Sequence, residues 1–365
     1  MKQLVLLGGG HAHVHVLKDF AANPPADTRV TLITPYLRQV YSGMLPGWIA
    51  GHYTLDDCII PLAPLADAAT ARLVENTCRQ IDFSSSEVVC ESGERIQFDY
   101  LSIDTGSVAN AFAGADRMIA IRPIEKFITA ITHLKQQVAL RHQQGQCTRI
   151  AVIGGGAGGV EIALALQFSL RECGVKTTII SAANTLPGRV GPRIRRALDQ
   201  AGVLLHSGAA ATAVDDTGVR LANTNGQHLP ADFVIGALGA ATAAWPRATG
   251  LACDGDGSIL TNDKLQSISH PQVFAAGDCA AMQAYPRPKS GVYAVRAGPP
   301  LANNLRHALT SGGLESYTPQ ARSLYLISTG GKHAIGAWGG LAWEGDWVWR
   351  WKDRIDRAFM AKYRR

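Results

Sequence analysis

The stretch RIAVIGGGAGGVEIALAL, residues 149–166, predicts a strand, a tight turn and a helix in direct succession. Arg149–Ile153 is a short apolar run rich in β-branched residues, as is typical of a buried strand. Gly154, Gly156 and Gly159 follow it at the spacing GxGxxG. In a dinucleotide-binding unit such glycines permit the turn, the approach of a pyrophosphate and close packing of the helix on the strand. The free N–H groups at the start of the helix then face that phosphate.

A single match of this kind is weak, and a mobile glycine-rich loop is the alternative. The chain repeats the pattern at its N-terminus, where the apolar strand Lys2–Leu7 is followed by Gly8 and Gly10. The second strand of this first unit, Arg29–Ile33, ends at Thr34 without the acidic residue that often binds ribose hydroxyls. Two phosphate-binding turns in one chain predict two dinucleotide-binding units.

Three histidines lie at the start of the first predicted helix, in the sequence HAHVHVL. His13 stands where the third glycine is expected, so its side chain should hold the helix slightly off the strand. His11 and His15 are one helical turn apart, but no carboxylate or cysteine nearby in the sequence completes a metal-ligand set. A helix start over a phosphate is the preferred interpretation, and no metal is predicted.

The composition is that of a globular protein of about two to three domains. The 365 residues are 47% hydrophobic and 18% charged, which argues against disorder. No apolar run approaches the roughly 18 residues of a membrane-spanning helix, and glycines follow Leu4–Leu7 where a signal peptide would continue. We therefore expect a cytoplasmic protein. Its seven cysteines form no CxxC or CxxxxC pair, so neither a zinc knuckle nor a local redox-active dithiol is predicted.

The net charge of +6 is concentrated in residues 350–365, which hold seven bases and two acids. There is no nucleic-acid-binding motif, and a nucleic-acid-binding protein would spread such charge over a whole face. The apolar residues near this segment recur at helical spacing and define one stripe: Trp347, Trp351, Ile355, Ala358 and Phe359. Such a helix can lie in a membrane interface, or it can cover its own catalytic domain or a homodimer partner.

The second unit leaves the choice of nicotinamide cofactor open. Its second strand, Thr177–Ile180, runs into Ser181 instead of the acid that selects NAD through the ribose 2′-OH. Arg189 and Arg193 follow closely enough to bind the 2′-phosphate of NADPH. Arg193 and its neighbours could equally form the solvated face of the helix before Gly202. NADH and NADPH therefore stand as equal expectations.

Two further segments predict where the chain crosses between the units. Asp99–Gly106, DYLSIDTG, and Asp232–Gly239, DFVIGALG, are both strand-like runs that end in glycine, as expected if the second unit is inserted in the first. A helix is predicted at about Ile124–Gln143. The Pro-, Gly- and aromatic-rich residues 34–53 predict an irregular loop. Within it, Tyr41–Gly47 is a candidate wall of a flavin pocket, with ordinary loop packing as an equal alternative.

The segment His270–Ala280, HPQVFAAGDCA, resembles the second flavin fingerprint of flavoproteins with two dinucleotide-binding domains. In that fingerprint the acidic residue, here Asp278 after Gly277, binds the ribityl chain. The order of all these motifs resembles that of the pyridine nucleotide-disulfide oxidoreductase superfamily along roughly residues 1–310. The resemblance implies an α/β fold with two Rossmann-like domains, FAD in the first and NADH or NADPH in the second.

The implied domains are residues 1–110 and 246–312 for FAD, 111–245 for NAD(P)H, and 313–365 for a C-terminal region with a basic amphipathic helix. The residues expected to bind the cofactors are Gly8, Gly10, His11, Thr34, Tyr41, Gly106, Gly154, Gly156, Gly159, Ser181, Gly239, Gly277, Asp278 and Gly291.

Within the superfamily, GGGHAHV, YSGMLPG, RPKSGVYAVRAGPPLANNLR and WRWKDRIDRAFM are similar to the branch found beside or fused to selenide,water dikinase. No kinase segment follows in this sequence, so the resemblance covers the flavoprotein half. Arg287–Gly291, RPKSG, is also similar to the segment before the flavin-facing helix of sulfide:quinone reductases and flavocytochrome sulfide dehydrogenases. By that likeness Lys289 and the helix beginning near Gly291 face the flavin ring and stabilise negative charge on it. A surface lysine is the alternative.

Departures from the superfamily pattern shape the expected reaction. The disulfide reductases of the superfamily have a cysteine pair after the first helix, and this chain has none there. Sulfide:quinone reductases need a cysteine late in the chain, and no cysteine follows Cys279. The resemblance then implies electron transfer from NAD(P)H through flavin to a diffusible acceptor such as a quinone, as in type II NADH dehydrogenases. Glu161 is similar to a residue near the nicotinamide in those enzymes and is expected to help seat it; a charge on the helix dipole is the alternative.

Two other readings of the sequence stay open. A sulfide- or selenide-type chalcogenide:quinone oxidoreductase is favoured by Lys289 and the kinase association and disfavoured by the missing cysteines. A low-turnover flavin-binding partner in selenium metabolism is favoured if His13 and the missing acids have loosened the nucleotide sites. The expected location is cytoplasmic, with peripheral contact at the cytoplasmic face of the inner membrane as an option.

Overall fold

Strands and helices alternate along the computed structural model, which describes residues 1–182, 190–222 and 227–364. The strands are β1 Lys2–Leu7, β2 Thr28–Thr34, β3 Arg38–Val40, β4 Ile59–Pro61, β5 Arg72–Glu75, β6 Cys78–Asp82, β7 Glu87–Cys90, β8 Arg95–Gln97, β9 Tyr100–Ile103, β10 Val108–Ala109, β11 Ile119–Ala120, β12 Arg149–Ile153, β13 Lys176–Ser181, β14 Leu204–Ser207, β15 Ala211–Asp215, β16 Gly218–Leu221, β17 His228–Pro230, β18 Phe233–Gly236, β19 Ala240–Ala241, β20 Ile259–Thr261, β21 Val273–Ala275, β22 Ala280–Met282, β23 Leu324–Ser328, β24 Ala334–Trp338 and β25 Leu341–Gly345. The helices are α1 His11–Ala22, α2 Leu45–Ala50, α3 Leu62–Ala68, α4 Ile124–Gln143, α5 Ala157–Ser169, α6 Gly191–Ala201, α7 Trp245–Ala248, α8 Gly291–Leu309 and α9 Asp346–Tyr363.

Two parallel five-stranded sheets form the framework. The first has the order β21-β9-β1-β2-β5 and the second the order β11-β18-β12-β13-β14. In the first sheet α1 connects β1 to its neighbour β2, and in the second α5 connects β12 to β13. These repeated strand-helix-strand units confirm the predicted α/β fold with two Rossmann-like units.

The central strand of each sheet is apolar because its sheet is covered on both faces. Residues 4–7 in β1 and 150–153 in β12 are at most 4% exposed. The bounds of both strands, and those of the helix Ile124–Gln143, agree with the sequence prediction.

Short strands join the two units, and a C-terminal region contacts both. Strands β10 and β19 lie antiparallel, with Val108 opposite Ala241, where the chain passes between the sheets. The antiparallel sheet β23-β24-β25 packs with β23 on α5 of the second unit. Helix α9 follows this sheet and packs on α1 of the first unit. The C-terminal region therefore bridges the two Rossmann-like units.

The loop predicted for residues 34–53 is wrong in part. This segment contains β3, a 3₁₀ turn at Ser42–Met44 and α2, which begins at Leu45. Pro46 lies in the first turn of α2, where a missing N–H breaks no helical hydrogen bond. Gly51 then ends the helix with φ +86°. Proline and glycine stand at the ends of this short helix, so their density indicated a loop.

The predicted C-terminal helix is present, but its outer face carries much of the predicted apolar stripe. Trp347 is 53% exposed, and Trp351 and Ile355 are each 39% exposed. The buried face holds Val348, Trp349, Lys352, Asp356, Met360 and Tyr363. Across the described ranges, we find no helix with the length and apolar content needed to cross a bilayer.

Candidate functional site

A cavity of about 390 Å³ opens where the carboxyl ends of β1, β2 and β9 meet. Thr34, Tyr36 and Cys78 line its side near the ends of β2 and β5, where a dinucleotide fold holds the adenosine. Ser42, before α2, and Gly291, at the start of α8, also line it. We call this space the first-sheet cavity. Of the predicted cofactor-binding residues, those that line it are Gly8, Gly10, His11, Thr34, Gly106, Asp278 and Gly291.

The first glycine loop is built against Asp104, which the sequence prediction had not singled out. Gly8 has φ +97°, and a Cβ there would lie 2.4 Å from the carbonyl oxygen of Asp104. A Cβ on Gly10 would lie 2.2 Å from the Asp104 carboxyl carbon. The Asp104 Oδ2 accepts the backbone N–H of Ala12 at 2.8 Å and that of His13 at 3.1 Å. These N–H groups belong to the first turn of α1 and have no partner within the helix, so the Asp104 carboxyl group caps the helix start.

The three histidines serve separate neighbours. His13 is fully buried, with Nδ1 2.6 Å from the carbonyl oxygen of Gly8 and Nε2 2.8 Å from Ser102 Oγ. Its imidazole thus links the loop to β9, so it is an integral part of the packing between α1 and the sheet. His15 Nδ1 lies 3.1 Å from the Tyr363 hydroxyl on α9. Within the described residues no group of three or more side chains could hold a metal ion.

His11 lines the first-sheet cavity, and its buried Nε2 has no hydrogen-bond partner. Its Nδ1 lies 3.3 Å from the amide nitrogen of Gln39. Burial lowers the pKa of His11 to about 4, so the ring is neutral at pH 7. His11 therefore presents an uncharged ring to the cavity, while its Nε2 lies buried without a hydrogen-bond partner among the residues that the structure describes.

Asp278 forms an ion pair that the sequence did not reveal. Its Oδ2 lies 2.9 Å from Arg122 Nη1 and accepts the Ser107 hydroxyl at 3.0 Å. Arg122 also lines the first-sheet cavity, where its charge suits a phosphate. Gly277, before Asp278, has φ +73°, and a Cβ there would lie 2.4 Å from Asp104 Oδ1. Arg122 comes just before α4, far from any glycine motif, so no sequence signal indicated it.

The second glycine loop has a backbone similar to that of the first, but the space beside its middle glycine is empty of protein atoms from the described residues. Gly154 has φ +123°, and its Cβ would lie 2.2 Å from the Ala237 carbonyl oxygen. A Cβ on Gly159 would lie 2.0 Å from the carbonyl oxygen of Gly154, because α5 packs closely on the turn. A Cβ on Gly156 would meet nothing within 4 Å. Gly239 has φ +85° and follows Ala237 at the crossing between the units.

Ser181 ends β13, next to the second glycine loop, and is buried. Arg189 lies outside the described residues. Arg193 and Arg196 on α6 lie 3.9 Å and 3.0 Å from the carboxylate of Glu344 in β25. These two arginines therefore pair with the C-terminal sheet, in line with the alternative to a phosphate-binding role.

Glu161 lies on α5, one turn beyond the helix start, and turns towards the C-terminal region. Its Oε1 accepts the backbone N–H of Ser328 in β23 at 2.8 Å. Burial raises the pKa of Glu161 to about 7, partly opposed by the positive charge of Lys352. The carboxyl is thus a group that can exchange a proton near neutral pH.

Tyr41 turns from the first-sheet cavity to α9. Its ring stacks on Phe359 at 4.4 Å, and its hydroxyl donates to Asp356 Oδ1 at 3.2 Å. Lys352 Nζ donates to Asp356 Oδ2 at 2.6 Å and to the Gly43 carbonyl oxygen at 2.7 Å. Burial raises the pKa of Asp356 and that of Tyr41. The sequence placed Lys352 and Asp356 on a basic helix and gave no sign that they form a buried pair.

Lys289 lies beside the first-sheet cavity without lining it. Its Nζ donates to Thr242 Oγ1, in the segment after β19. The start of α8 at Gly291 does line the cavity. The helix N-terminus, rather than the lysine, is therefore the feature of this segment that faces the space.

The seven cysteines all lie in described segments and are free thiols. Cys78 lines the first-sheet cavity, on the β2 and β5 side, and lies opposite Cys90 across β6 and β7. Burial raises the pKa of Cys78 to about 12, so the thiol is protonated at neutral pH. None of the other six cysteines lines the cavity.

Comparisons with known proteins point to one family. The family model described as Pyridine nucleotide-disulphide oxidoreductase matches residues 2–298. Ferroptosis suppressor protein 1 of Xenopus tropicalis is 28% identical over 278 residues, which are 71% of this chain and 70% of that protein.

Two solved structures share the fold. The sulfide:quinone oxidoreductase of Aquifex aeolicus aligns with a TM-score of 0.84 at 20% identity, covering 100% of this chain and 92% of that chain. NDH2 of Plasmodium falciparum, in complex with NADH, aligns with a TM-score of 0.81 at 15% identity, covering 98% and 97%.

Proposed function

Because this chain belongs to the pyridine nucleotide-disulphide oxidoreductase family, we propose that it passes electrons from NAD(P)H through FAD to a diffusible acceptor of the quinone type. The family binds FAD and NAD(P)H, and the chain is an FAD-dependent pyridine nucleotide oxidoreductase. The acceptor, the placement of the cofactors and the membrane contact are the proposed parts.

The first-sheet cavity is the proposed FAD site, and three observations support the fit. Gly8 and Gly10 leave the backbone close to the cavity, and His11, whose ring is neutral at pH 7, lines it. Asp278 and Arg122 line it with opposite charges, suited to ribityl hydroxyls and to phosphate respectively. When bound there, FAD would accept two electrons from NAD(P)H and release them to the acceptor. The protein would orient the cofactor and keep water from the ring.

The open second loop is the proposed NAD(P)H site. Gly156 leaves room for a pyrophosphate at the start of α5, and no acid follows β13 to select NAD. NADH and NADPH therefore both remain candidates as donor.

One observation carries the proposed acceptor: the buried network of Tyr41, Lys352 and Asp356 beside the segment Ser42–Met44. Ser42 lines the first-sheet cavity, and Lys352 binds the carbonyl oxygen of the next residue. Reducing a quinone to a quinol takes two protons with two electrons, and buried groups of this kind can hold and pass protons. Thiols could serve as alternative electron carriers, but Cys78 lies on the adenosine side and is protonated.

We also propose that the outer face of α9 contacts an anionic membrane surface, where quinones reside. Trp347, Trp351 and Ile355 are exposed along one stripe, and Arg350 and Arg354 stand between them exposed to solvent. The neighbouring hairpin exposes Trp338 by 49% and Leu341 by 63%. Aromatic and basic side chains on one surface suit a lipid interface. The proposed location is therefore peripheral, at the cytoplasmic face of a membrane.

Rapid mixing of the yellow protein with donors tests the reaction. Anaerobic NADH or NADPH should bleach the flavin absorbance, and a short-chain quinone should restore it within the turnover time. Bleaching by sulfide but by neither nicotinamide would overturn the proposal in favour of a chalcogenide:quinone oxidoreductase. Bleaching by no donor would favour a low-turnover flavin-binding partner.

Sedimentation with vesicles tests the membrane contact. Wild-type protein should pellet with phosphatidylglycerol vesicles at low salt and less so at high salt, and Trp351→Ser should weaken this. Leu204→Ser, which changes a 60% exposed apolar residue on the second unit, is the matched control. Absence of salt-sensitive binding by the wild type would refute the contact.

Association with selenide,water dikinase is a second candidate role. It is supported by the resemblance of GGGHAHV and RPKSG to the branch found beside that kinase. Gel filtration of the two purified proteins together tests it. Co-elution would support the association, and unchanged elution of both proteins would contradict it.

A further inference from the structure

Asp104, at the first-sheet cavity, packs against three glycines. Asp104 follows β9 directly, is 2% exposed and lines the cavity. Three glycines from two segments of the chain pack on Asp104, because a Cβ at Gly8, Gly10 or Gly277 would lie within 2.4 Å of an Asp104 atom. Gly10 and Gly277 belong to different flavin motifs, so one side chain explains a glycine in each.

Asp104 also shapes the start of α1. Gly10 is the N-cap residue and offers no side chain to cap the helix. Asp104 Oδ2 supplies that cap from another strand by accepting the N–H groups of Ala12 and His13. The Gly10 N–H donates to the Asp104 backbone oxygen at 3.1 Å. A pyrophosphate bound at this helix start would therefore lie beside the Asp104 carboxyl.

The charges around Asp104 do not neutralise it. No ion pair found in the described part of the chain includes Asp104, and Arg122 pairs with Asp278 instead. The other titratable groups that face it are Asp278, whose charge opposes ionisation of Asp104, and the protonated thiol of Cys279. His13 meets Asp104 through its backbone N–H, while the neutral ring contacts Gly8 and Ser102. Burial raises the pKa of Asp104 to about 7, although the N–H groups of His13 and Ala12 partly oppose this rise. A phosphate anion nearby would disfavour the ionised carboxyl further.

We propose that Asp104 is a positioning residue for FAD and that binding of the FAD pyrophosphate is coupled to uptake of one proton by its carboxyl group. This rests on the proposed placement of FAD in the first-sheet cavity. The proton comes from solvent and goes to the carboxyl, so FAD affinity falls as the pH rises above about 7. One coupled proton weakens binding by at most about tenfold per pH unit.

FAD titration of apoprotein between pH 6 and pH 9, followed by quenching of flavin fluorescence, tests the coupling. The wild-type Kd should rise by up to about tenfold per pH unit above about pH 7. Asp104→Asn keeps the shape and an oxygen acceptor for Ala12 and His13 but cannot ionise, so its Kd should stay flat. That result would also separate Asp104 from His11, which the variant leaves unchanged. Parallel Kd profiles for wild type and Asp104→Asn would overturn the proposal.

A matched control lies at the other end of the same strand. Asp99 accepts the backbone N–H of Gln3 at 2.6 Å but is exposed and lies outside the cavity. Asp99→Asn should keep the wild-type pH profile. If apoprotein cannot be recovered, the FAD release rate from holoprotein should rise with pH in wild type and Asp99→Asn but not in Asp104→Asn. A wild-type protein that binds no FAD at any pH would instead refute the proposed function.

Discussion

The two glycine loops share one backbone plan but have different neighbours. In each, the first glycine has positive φ and lies against the carbonyl oxygen of a residue just after a strand, Gly8 against Asp104 and Gly154 against Ala237. In the first loop that neighbour carries a carboxyl group that binds the start of α1. In the second it carries a methyl group, and the space at Gly156 stays open.

This difference suits two kinds of ligand. A closed wall with buried polar groups provides fixed contacts for a cofactor that stays bound, whereas an open helix start allows a nucleotide to enter and leave. An enzyme that keeps FAD and exchanges NAD(P)H needs one site of each kind. The same short motif therefore produces different sites according to the residue that packs on it.

The same substitution at equivalent glycines gives the largest expected difference. Gly10→Ala should yield a protein that loses FAD, because its Cβ would lie 2.2 Å from the Asp104 carboxyl carbon. Gly156→Ala should retain FAD and fold normally, because its Cβ meets nothing within 4 Å. The flavin-to-protein absorbance ratio after gel filtration measures both.

A double variant identifies which group imposes the glycine. Adding Asp104→Ala to Gly10→Ala removes the carboxyl that the new Cβ would strike and should restore part of the flavin content. Where Asp104→Ala alone retains flavin, equal flavin loss in Gly10→Ala and in the double variant would show that the approach of the cofactor, not Asp104, requires glycine at position 10.

A bulkier group in the open loop should block nucleotide but spare flavin. In Gly156→Val the branched side chain would occupy the phosphate approach, so reduction by NAD(P)H should slow by about 100-fold or more while flavin content is unchanged. Stopped-flow bleaching measures the rate. Gly255→Val, at an exposed turn with open space, is the control. Wild-type bleaching by Gly156→Val would show that NAD(P)H binds elsewhere.

The sequence predicted the backbone of both loops better than their side-chain neighbours. Apolar runs and glycine spacing are local signals, so the strand bounds at Lys2–Leu7 and Arg149–Ile153 were predicted correctly. Asp104 and Arg122 reach the cavity from segments about 90 to 110 residues away from the first loop. The segment Asp99–Gly106 was predicted only as a crossing between the units, and no local pattern marks Arg122. Contacts of that kind depend on the strand order, which the motifs do not specify.

The contacts of the C-terminal helix α9 also could not be predicted from its own sequence. Helical spacing predicted α9 and its apolar stripe, but the face that packs on the protein carries the buried pair Lys352 and Asp356. A charged pair at i, i+4 is typical of a solvated helix face. Its burial depends on Tyr41 and Gly43, which lie about 310 residues earlier in the chain. No pattern within the helix could indicate that packing.

Removing Asp278, the acid of the second flavin motif, should weaken FAD binding by a moderate factor. In Asp278→Ala the FAD ribityl hydroxyls would lose a charged acceptor worth about 1.5 to 3 kcal/mol, a roughly 10- to 150-fold rise in Kd. Arg122 would also lose its partner at 2.9 Å. Fluorescence titration with FAD measures the change, and full flavin retention through gel filtration would contradict the assignment. NAD(P)H binding to the second loop should not change.

The smallest expected effect concerns Glu161, the buried carboxyl on the helix of the open loop. Its pKa of about 7 in the folded protein lies above the ordinary 4.5, so the stability it contributes is present below about pH 4.5 and is lost as the pH rises through about 7. In Glu161→Gln, which keeps an acceptor for the Ser328 N–H, the thermal midpoint should fall less between pH 5 and pH 8 than in the wild type. Glu172→Gln, whose side chain is 87% exposed, should follow the wild type because exposed pairs contribute little. If Glu161→Gln also follows the wild type, the pKa of the Glu161 carboxyl is not raised in the folded protein.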